Sequence, residues 1–499
     1  MSVNLIFPFL CDPVRPSRPL LDGCARIRWC GAAPQSAKPV TLKRLLWGGG
    51  YVNREDRCET NFPAAATDTK QARHRKAMIE IKALPIKRVV SVQVPGSKSY
   101  THRLLIAAAL SDGTCRIGNP LRSDDTLLTL AALRCMGIAA DEQPEAVIVR
   151  GAGGMLAPWA EPIDLGNSGT SMRLLSGLAI LGRGDYCFTG SARMQERPMR
   201  ALLDSLRLLG VEARSVRNNG CPPIVIPGGH PKNRRTVIDC GTSSQYLSAL
   251  LLAAPCLAQG MEIEVSHGPV SRPYIDMTVD IMRLFGIEVQ RDGYTRFQVP
   301  GGQAYRAGDH AVEPDASQAG YFWAAGAITG SRVKVQGITR ASSQGDVALA
   351  EVFGRMGCRV EHEADGIAVT GGALSAIDVD MGHMPDMVPT LAVVAAFAQG
   401  TTVIRNVAHL RAKESDRLAA VSQELTKMGI RTETGADELR VTGGTPRGAT
   451  IETYDDHRIA MCFAVAGLKA PGTRIMDEGC VRKSFPNYWE VFQTLYERK

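Results

Sequence analysis

The chain has 499 residues, 44% of them hydrophobic and 22% charged, a soluble and globular composition too long for one ordinary core. Its formal net charge of +8 does not point to nucleic acid. Residues 1–77 hold 13 of the 58 Lys and Arg but only 6 of the 50 Asp and Glu, so the remainder is within one charge of neutral. The 13 cysteines are scattered, without a C-x-x-C pair or a Cys/His cluster at zinc spacing, a pattern of reduced thiols in the cytoplasm with no structural metal.

Residues 1–77 contain seven prolines, a "GGG" run and little periodicity, and are expected to be a disordered extension. No basic segment precedes "LIFPFL", and the acidic residues argue against an organelle transit peptide. Met78 opens the first plausible strand, "MIEIKALP". From there one plan recurs: an amphipathic helix closed by glycine, a strand, a polar turn and a second strand. The closing glycines, Gly137, Gly210, Gly286, Gly357 and Gly429, lie roughly seventy residues apart and suit left-handed helix caps. A sixth helix, "NYWEVFQTLYERK", ends the chain without its strands, so a partner strand is expected from residues 78–85, stitching the ends together. Six such α/β units make either one closed ring or two domains of three units, and the chain length favours two domains; a solenoid is the alternative, against which the missing capping repeats and the end closure weigh.

The motifs follow in chain order. "VPGSKSYTHRLLIAAAL" places Lys98, Ser99 and Arg103 at a strand-to-helix junction, where backbone N–H groups and cations favour an anion; the spacing is not that of a P-loop. "DLGNSGTSMRLLSGL" sets Asn167, Ser168, Gly169 and Thr170 in a turn, with Arg173 in the next helix. "SARMQERPMRALL" supplies Arg193 and Arg197. "DCGTSSQYLSALL" offers Thr242, Ser243, Ser244 and Gln245 as a hydroxyl cradle, and its apolar continuation "YLSALLLAAPCLA" is too short to span a bilayer. "MGHMPDMVPTLAV" brings Asp386, "TYDDHRIAMCFAV" brings His457 and Arg458, and "VRKSFPNYW" brings Lys483.

"HLRAKESDRLAAV" packs Arg411, Lys413, Glu414, Asp416 and Arg417 into one run. Such a run is commonly a solvated face. Lys413 and Arg417, however, would be like-charged neighbours on a helix, which favours an anion between them, and Ser415 is the expected cap. Cations or hydroxyls thus stand at six or more helix starts of a nearly neutral body. Arginine suits bidentate capture of carboxylate or phosphate, and the carboxylates Glu414 and Asp386, with Asp455 or Asp456, could carry protons. Hydrolase, metalloenzyme and dehydrogenase signatures are missing from the sequence.

In this order, "PGSKSYTHR", "LGNSGTSMR", "RMQERPM", "SSQYLSALL", "SRPYID", "MPDM", "LRAKESDRL", "DDHRIAM" and "KSFPNYW" resemble the 5-enolpyruvylshikimate-3-phosphate synthase family. The resemblance implies a two-domain inside-out α/β barrel fold, each domain of three βαβαββ repeats with the ligand cleft between them. The expected domains are 78–95 with 313–499, and 96–312. It further implies transfer of enolpyruvyl from phosphoenolpyruvate to the 5-hydroxyl of shikimate 3-phosphate, without cofactor or metal, by a cytoplasmic monomer with no nucleic-acid or membrane partner.

Shikimate 3-phosphate would be held by Lys98, Ser99, Arg103, Ser243, Ser244, Gln245, Ser271, Tyr274, Asp386, His409 and Lys413, with Arg103 near its carboxylate. Phosphoenolpyruvate would be held by Lys98, Asn167, Gly169, Thr170, Arg197, Gln245, Arg417, His457, Arg458 and Lys483. Asp386, Glu414, Lys98 and Lys413 would carry the chemistry, Glu414 handling the carbon-bound proton. Ser168 and Ser171 stand where many members have alanine, and are expected to add bulk beside the phosphoenolpyruvate turn; His409 stands where some have asparagine. A related transferase acting on UDP-N-acetylglucosamine uses a Lys-Asn pair and a loop cysteine, whereas here the pair is Lys98-Ser99 and Cys115 is no equivalent. A silent binding protein would be expected to lack Asp386 and Glu414. Concentrated cations predict domains that are open without ligand and close on it.

Overall fold

The computed structural model describes residues 77–229 and 231–497, so the expected extension, apart from Ala77, lies outside the described residues. The repeat seen in the sequence is one structural unit. Among the described residues there are five four-stranded sheets, each a parallel pair of strands completed by an antiparallel hairpin. In three of them the parallel strands are consecutive and joined across a helix, and in the other two the parallel partner comes from a distant part of the chain. Arg235–Asp239, Met261–His267, Arg296–Val299 and Gln290–Asp292 lie in this order, with helix Gln245–Ala253 inside the crossover. All five closing glycines have positive φ, from 80° to 106°, as a helix-ending left-handed residue requires.

The sixth sheet has three strands. Thr450–Ile451 runs parallel to Arg474–Met476, and Met78–Glu80 pairs antiparallel with the latter, so the two ends are joined as the repeat predicted.

Six helices lie inside the sheets: Lys98–Leu110, Gly169–Leu178, Gln245–Ala253, Ala316–Thr329, Val388–Ala395 and His457–Gly467. Gly169–Leu178, Val388–Ala395 and His457–Gly467 are buried along their whole length, and the other three nearly so. Sequences apolar all round, such as "VPTLAVVA", leave no face for water, so the helices go in and the sheets wrap them. Amphipathic helices such as Arg200–Leu208 bury only one side.

Among the described residues the buried apolar side chains form two clusters. One draws on Ile81–Val94 and Ala316–Leu495, the other on Leu104–Val312. The chain crosses between them twice, and the two crossings pair: Ser97 N donates to Glu313 O (2.8 Å) and Asp315 N to Pro95 O (2.9 Å). Each half also takes a strand from beyond a crossing, since Val89–Val92 pairs with Arg332–Gln336 and Asp309–Ala311 with Thr114–Gly118.

Candidate active site

Five of the six interior helices bring their first turns to one cleft between the halves. It is lined by Lys98 and Ser99, by Thr170 and Arg173, by Thr242 to Gln245, by Asp386 just before Val388, and by Arg458; Arg197, Ser271, Tyr274, Lys413, Glu414 and Arg417 complete the wall. Helix N-termini carry unpaired N–H groups and partial positive charge, so the backbone adds to the cationic side chains. The sixth interior helix joins through its cap: Asp315 accepts from Gln318 N and, at 2.8 Å, from Lys98 N.

Arg417 organises the floor. It is 1% exposed and donates to Asp456 (2.8 Å), Asp386 (3.0 Å) and Glu414 (2.8 Å). Asp386 also holds Arg458 at 2.7 Å and Lys413 at 3.7 Å. Across the cleft, Arg197 reaches Glu414 at 3.7 Å, and Lys483 donates to Asp125 (2.6 Å) and to Asn167 O (2.9 Å). Arg193 donates to the carbonyls of Arg411 and Lys413, Ser271 N to Gly382 O, and Tyr274 OH to Asp346. The halves are therefore closed on one another.

Burial opposes the charge on Asp386, but Arg458, Lys413 and Arg417 outweigh it and hold the carboxyl far below the usual range. Glu414 is likewise opposed by burial and carried well below normal by Arg417, Arg197 and Lys483. Both carboxylates are ionised, whereas burial draws the Lys413 ammonium down against the pull of Asp386. Cations in excess of carboxylates, hydroxyls beside them and two ionised acids suit a site for more than one anionic ligand with proton transfer between them.

A family model described as EPSP synthase (3-phosphoshikimate 1-carboxyvinyltransferase) matches residues 85–492. The chain belongs to the EPSP synthase family. A 3-phosphoshikimate 1-carboxyvinyltransferase from Syntrophobacter fumaroxidans is 45% identical over 407 residues, covering 81% of this chain and 96% of that one. Another of the same name from a Sulfurovum species is 44% identical over 426 residues, covering 84% and 99%. Among solved structures, an EPSP synthase from Acinetobacter baumannii matches with a TM-score of 0.69 at 30% identity, over 83% of this chain and 97% of that one. As an EPSP synthase the chain is a shikimate-pathway transferase, moving the enolpyruvyl group of phosphoenolpyruvate to the 5-hydroxyl of shikimate 3-phosphate with release of phosphate. Its fold is the two-domain inside-out α/β arrangement of EPSP synthases.

Most of the residues expected at an EPSP synthase site meet in this cleft. Asn167, Gly169 and Lys483 sit immediately behind its lining. The Asn167 carbonyl accepts from Arg197 and Lys483, and a Cβ on Gly169 would fall 2.4 Å from the Arg197 guanidinium. Three expected residues stand apart. Arg103 is fully buried one turn behind Ser99, donating to Thr278, Ser248 and the carbonyls of Ser99 and Tyr274, and does not line the cleft. His409, in the 3-10 turn Ala408–Ala412, lines a neighbouring cavity with His383, Asn406 and Asp437. Burial, then Lys413, pulls its imidazole down to about 3. His457 is buried, 3.7 Å from Asp456, and held neutral by burial and then by Lys98 and Arg458.

Other local expectations change too. The helix after the charged run begins at Arg417, and its cap is Asp416, which accepts from Ala419 N; Ser415 donates instead to Asp456. Lys413 precedes the helix, so it and Arg417 meet over Asp386 rather than one turn apart. Asp456 is wholly buried as a helix cap and an Arg417 partner, which removes it as a proton carrier. Ser168 and Ser171 are 0% exposed and lie behind the turn, adding no bulk to the cleft. Asp125 and Asp346 carry no signal of their own in the sequence. Asp125 stands in "SDDTLL", where an acid at a helix start reads as a dipole partner, and only its distant lysines reveal its place.

Proposed function

We propose that the cleft binds shikimate 3-phosphate against Lys98, Ser99, Ser243, Ser244, Gln245, Ser271 and Tyr274, and phosphoenolpyruvate against Asn167, Gly169, Thr170, Arg197, Arg417, Arg458 and Lys483. The observation that carries this reading is the shared guanidinium of Arg417, which contacts Asp386 and Glu414 together. The two acids are thus neighbours in one cation-lined space, and the cations that keep them ionised are those an anionic substrate would engage.

That arrangement supports a sequence for the chemistry. Phosphoenolpyruvate draws Arg197 and Arg417 toward its own anionic groups and weakens their hold on Glu414. The Glu414 pKa then rises and the carboxyl takes a proton, which it delivers to the methylene carbon. As C2 becomes cationic, the 5-hydroxyl attacks it and gives its proton to ionised Asp386, with Lys413 beside that carboxylate. The C–O bond to phosphate breaks from the tetrahedral intermediate, the methyl proton returns to Glu414, and the phosphate takes the hydroxyl proton held on Asp386 as it leaves, with Lys98 balancing its charge. Arginines fixed before the reaction stabilise the shifting charge without reorganising.

Residues 78–95 with 313–499 and residues 96–312 act in this reading as the two domains, moving about the paired crossings. The enzyme works as a cytoplasmic monomer; among the described residues no helix is long and apolar enough to cross a membrane. The test is phosphate release by the full chain with both substrates and with each singly. Release that requires both is expected, and release from phosphoenolpyruvate alone would overturn the assignment of the cleft.

A further inference from the structure

Behind the turn that carries Asn167, Gly169 and Thr170 runs a line of buried polar groups that none of the catalytic roles uses. His102, Thr129, Ser168 and Ser171 are each 0% exposed. His102 Nδ1 lies 2.8 Å from Thr129 Oγ1, Thr129 Oγ1 lies 2.7 Å from Ser171 Oγ, and Ser171 Oγ lies 2.6 Å from Ser168 Oγ and 3.2 Å from the carbonyl of Asp125. Ser171 N donates to Ser168 Oγ at the start of the helix.

The proton order follows from what each group can do. The Asp125 carbonyl only accepts, so the Ser171 hydroxyl donates there. Ser168 and Thr129 then both donate to Ser171 Oγ, which fills its valence. Thr129 Oγ1, its proton spent, accepts from His102 Nδ1–H. Burial pulls His102 down to about 3, so its imidazole is neutral, with Nε2 left unpartnered. Every bond in the line has one direction.

The line joins three elements, helices Lys98–Leu110, Asp124–Cys135 and Gly169–Leu178. Their first turns present Lys98, Asp125 and the Asn167–Thr170 turn. Asp125 in turn anchors Lys98 at 3.3 Å and Lys483 at 2.6 Å. The hydroxyl line is therefore a cross-brace behind the part of the cleft where an anion would meet two lysines and the turn.

We infer that Ser168, Ser171, Thr129 and His102 are positioning residues that hold the Asn167–Thr170 turn in register with Asp125 and so set the affinity for phosphoenolpyruvate. This rests on the proposal that the turn binds phosphoenolpyruvate. Removing one hydroxyl leaves the turn free to drift by a few tenths of an ångström, which weakens a preorganised anion site without touching the reacting atoms.

The experiment uses the full chain with Ser171→Ala, Thr129→Val, the double variant and Thr129→Ser, measuring KM for each substrate, kcat and thermal stability. The two single variants are expected to raise KM for phosphoenolpyruvate at least threefold while KM for shikimate 3-phosphate and kcat stay within twofold. The double variant should be no worse than the poorer single, because one break suffices, and Thr129→Ser should recover the native KM. Parallel increases in both KM values with loss of thermal stability would mean a structural role alone and overturn the inference. Asn167→Ala separates the two readings. If it raises KM for phosphoenolpyruvate but Ser171→Ala does not, the brace is refuted and the turn's assignment stands. If neither changes KM, the turn's assignment fails and takes the brace with it.

Discussion

Lys483 Nζ lies 2.6 Å from Asp125 Oδ1, so a lysine near the C-terminus of the chain is paired with an acid 358 residues away in the other half. Asp125 Oδ2 also holds Lys98 at 3.3 Å, and burial of the carboxylate is outweighed by Lys483 and then Lys98, which keep its pKa below normal. One acid thus fixes two ammonium groups at the edge of the cleft. Losing one member of a buried ion pair destabilises by about 3–5 kcal/mol, and asparagine, which can still accept a hydrogen bond, should fall toward the lower end. Asp125→Asn is expected to lower thermal stability, and saturating substrates should recover more of it than they add to the native enzyme, since anions then supply the missing charge. Equal ligand-induced shifts in the two proteins would refute this.

Glu414→Gln tests the proton at carbon. Arg417 keeps Asp386 and Asp456 when Glu414 is neutralised, so the floor of the site should hold and thermal stability change little. Turnover with both substrates should fall at least about a hundredfold, the usual scale for a positioned acid or base. Near-native turnover would leave Glu414 without the role proposed.

What the sequence made legible was whatever is local. The five closing glycines announce their helix ends because only a left-handed residue fits there, and the small-residue turns and cations announce helix starts because those positions have their own chemistry. The end-to-end pairing of Met78–Glu80 with Arg474–Met476 followed from counting strands in the repeat. What stayed hidden was side-chain direction and distant partnership. Arg103 and Ser99 are four apart on one helix, yet Ser99 opens on the cleft and Arg103 turns into a pocket made by Thr278 and Ser248. Ser168 and Gly169 are adjacent, but the serine faces Thr129's neighbour Ser171 and the glycine faces Arg197. No spacing rule separates those cases: the atoms that hold Arg103 come from another repeat, and Arg197 returns to Gly169 from beyond the next strand of its own repeat.

Gly169→Ala should act on that second contact. The added methyl would stand 2.4 Å from one Arg197 nitrogen and 2.7 Å from its central carbon, closer than any real contact allows. Arg197 is 3% exposed and tied to Asn167, so it moves only by loosening those bonds. KM for phosphoenolpyruvate should rise about tenfold with a smaller change in kcat, as expected when ground-state binding is lost. Steady-state kinetics with shikimate 3-phosphate saturating would check it, and an unchanged KM would show that Arg197 has another place to go.

Asp346 links the halves in a pH-dependent way. It is 3% exposed; Ser317 donates to its Oδ2, Tyr274 of the other half donates to the same atom at 3.2 Å, and Oδ1 has no partner. Burial, then the charge of Asp386, pushes its pKa up from 3.8 to about 6. A carboxyl whose pKa is raised on folding contributes stability that is fully present below its unfolded value and is lost as pH rises through the folded one. Buried His102 and His409, pulled down to about 3, have the opposite sign: their stability is present above about 6.5 and is lost as pH falls. Those histidines are common to the native protein and Asp346→Asn, so they cancel in the difference between the two. Between pH 5 and pH 7.5 the stability of the native protein relative to Asp346→Asn should fall by about 1.4 kcal/mol. Denaturant unfolding across that range measures it, and a difference that does not change with pH would show that Asp346 is ionised throughout and that Tyr274 and Ser317 donate to a permanent charge.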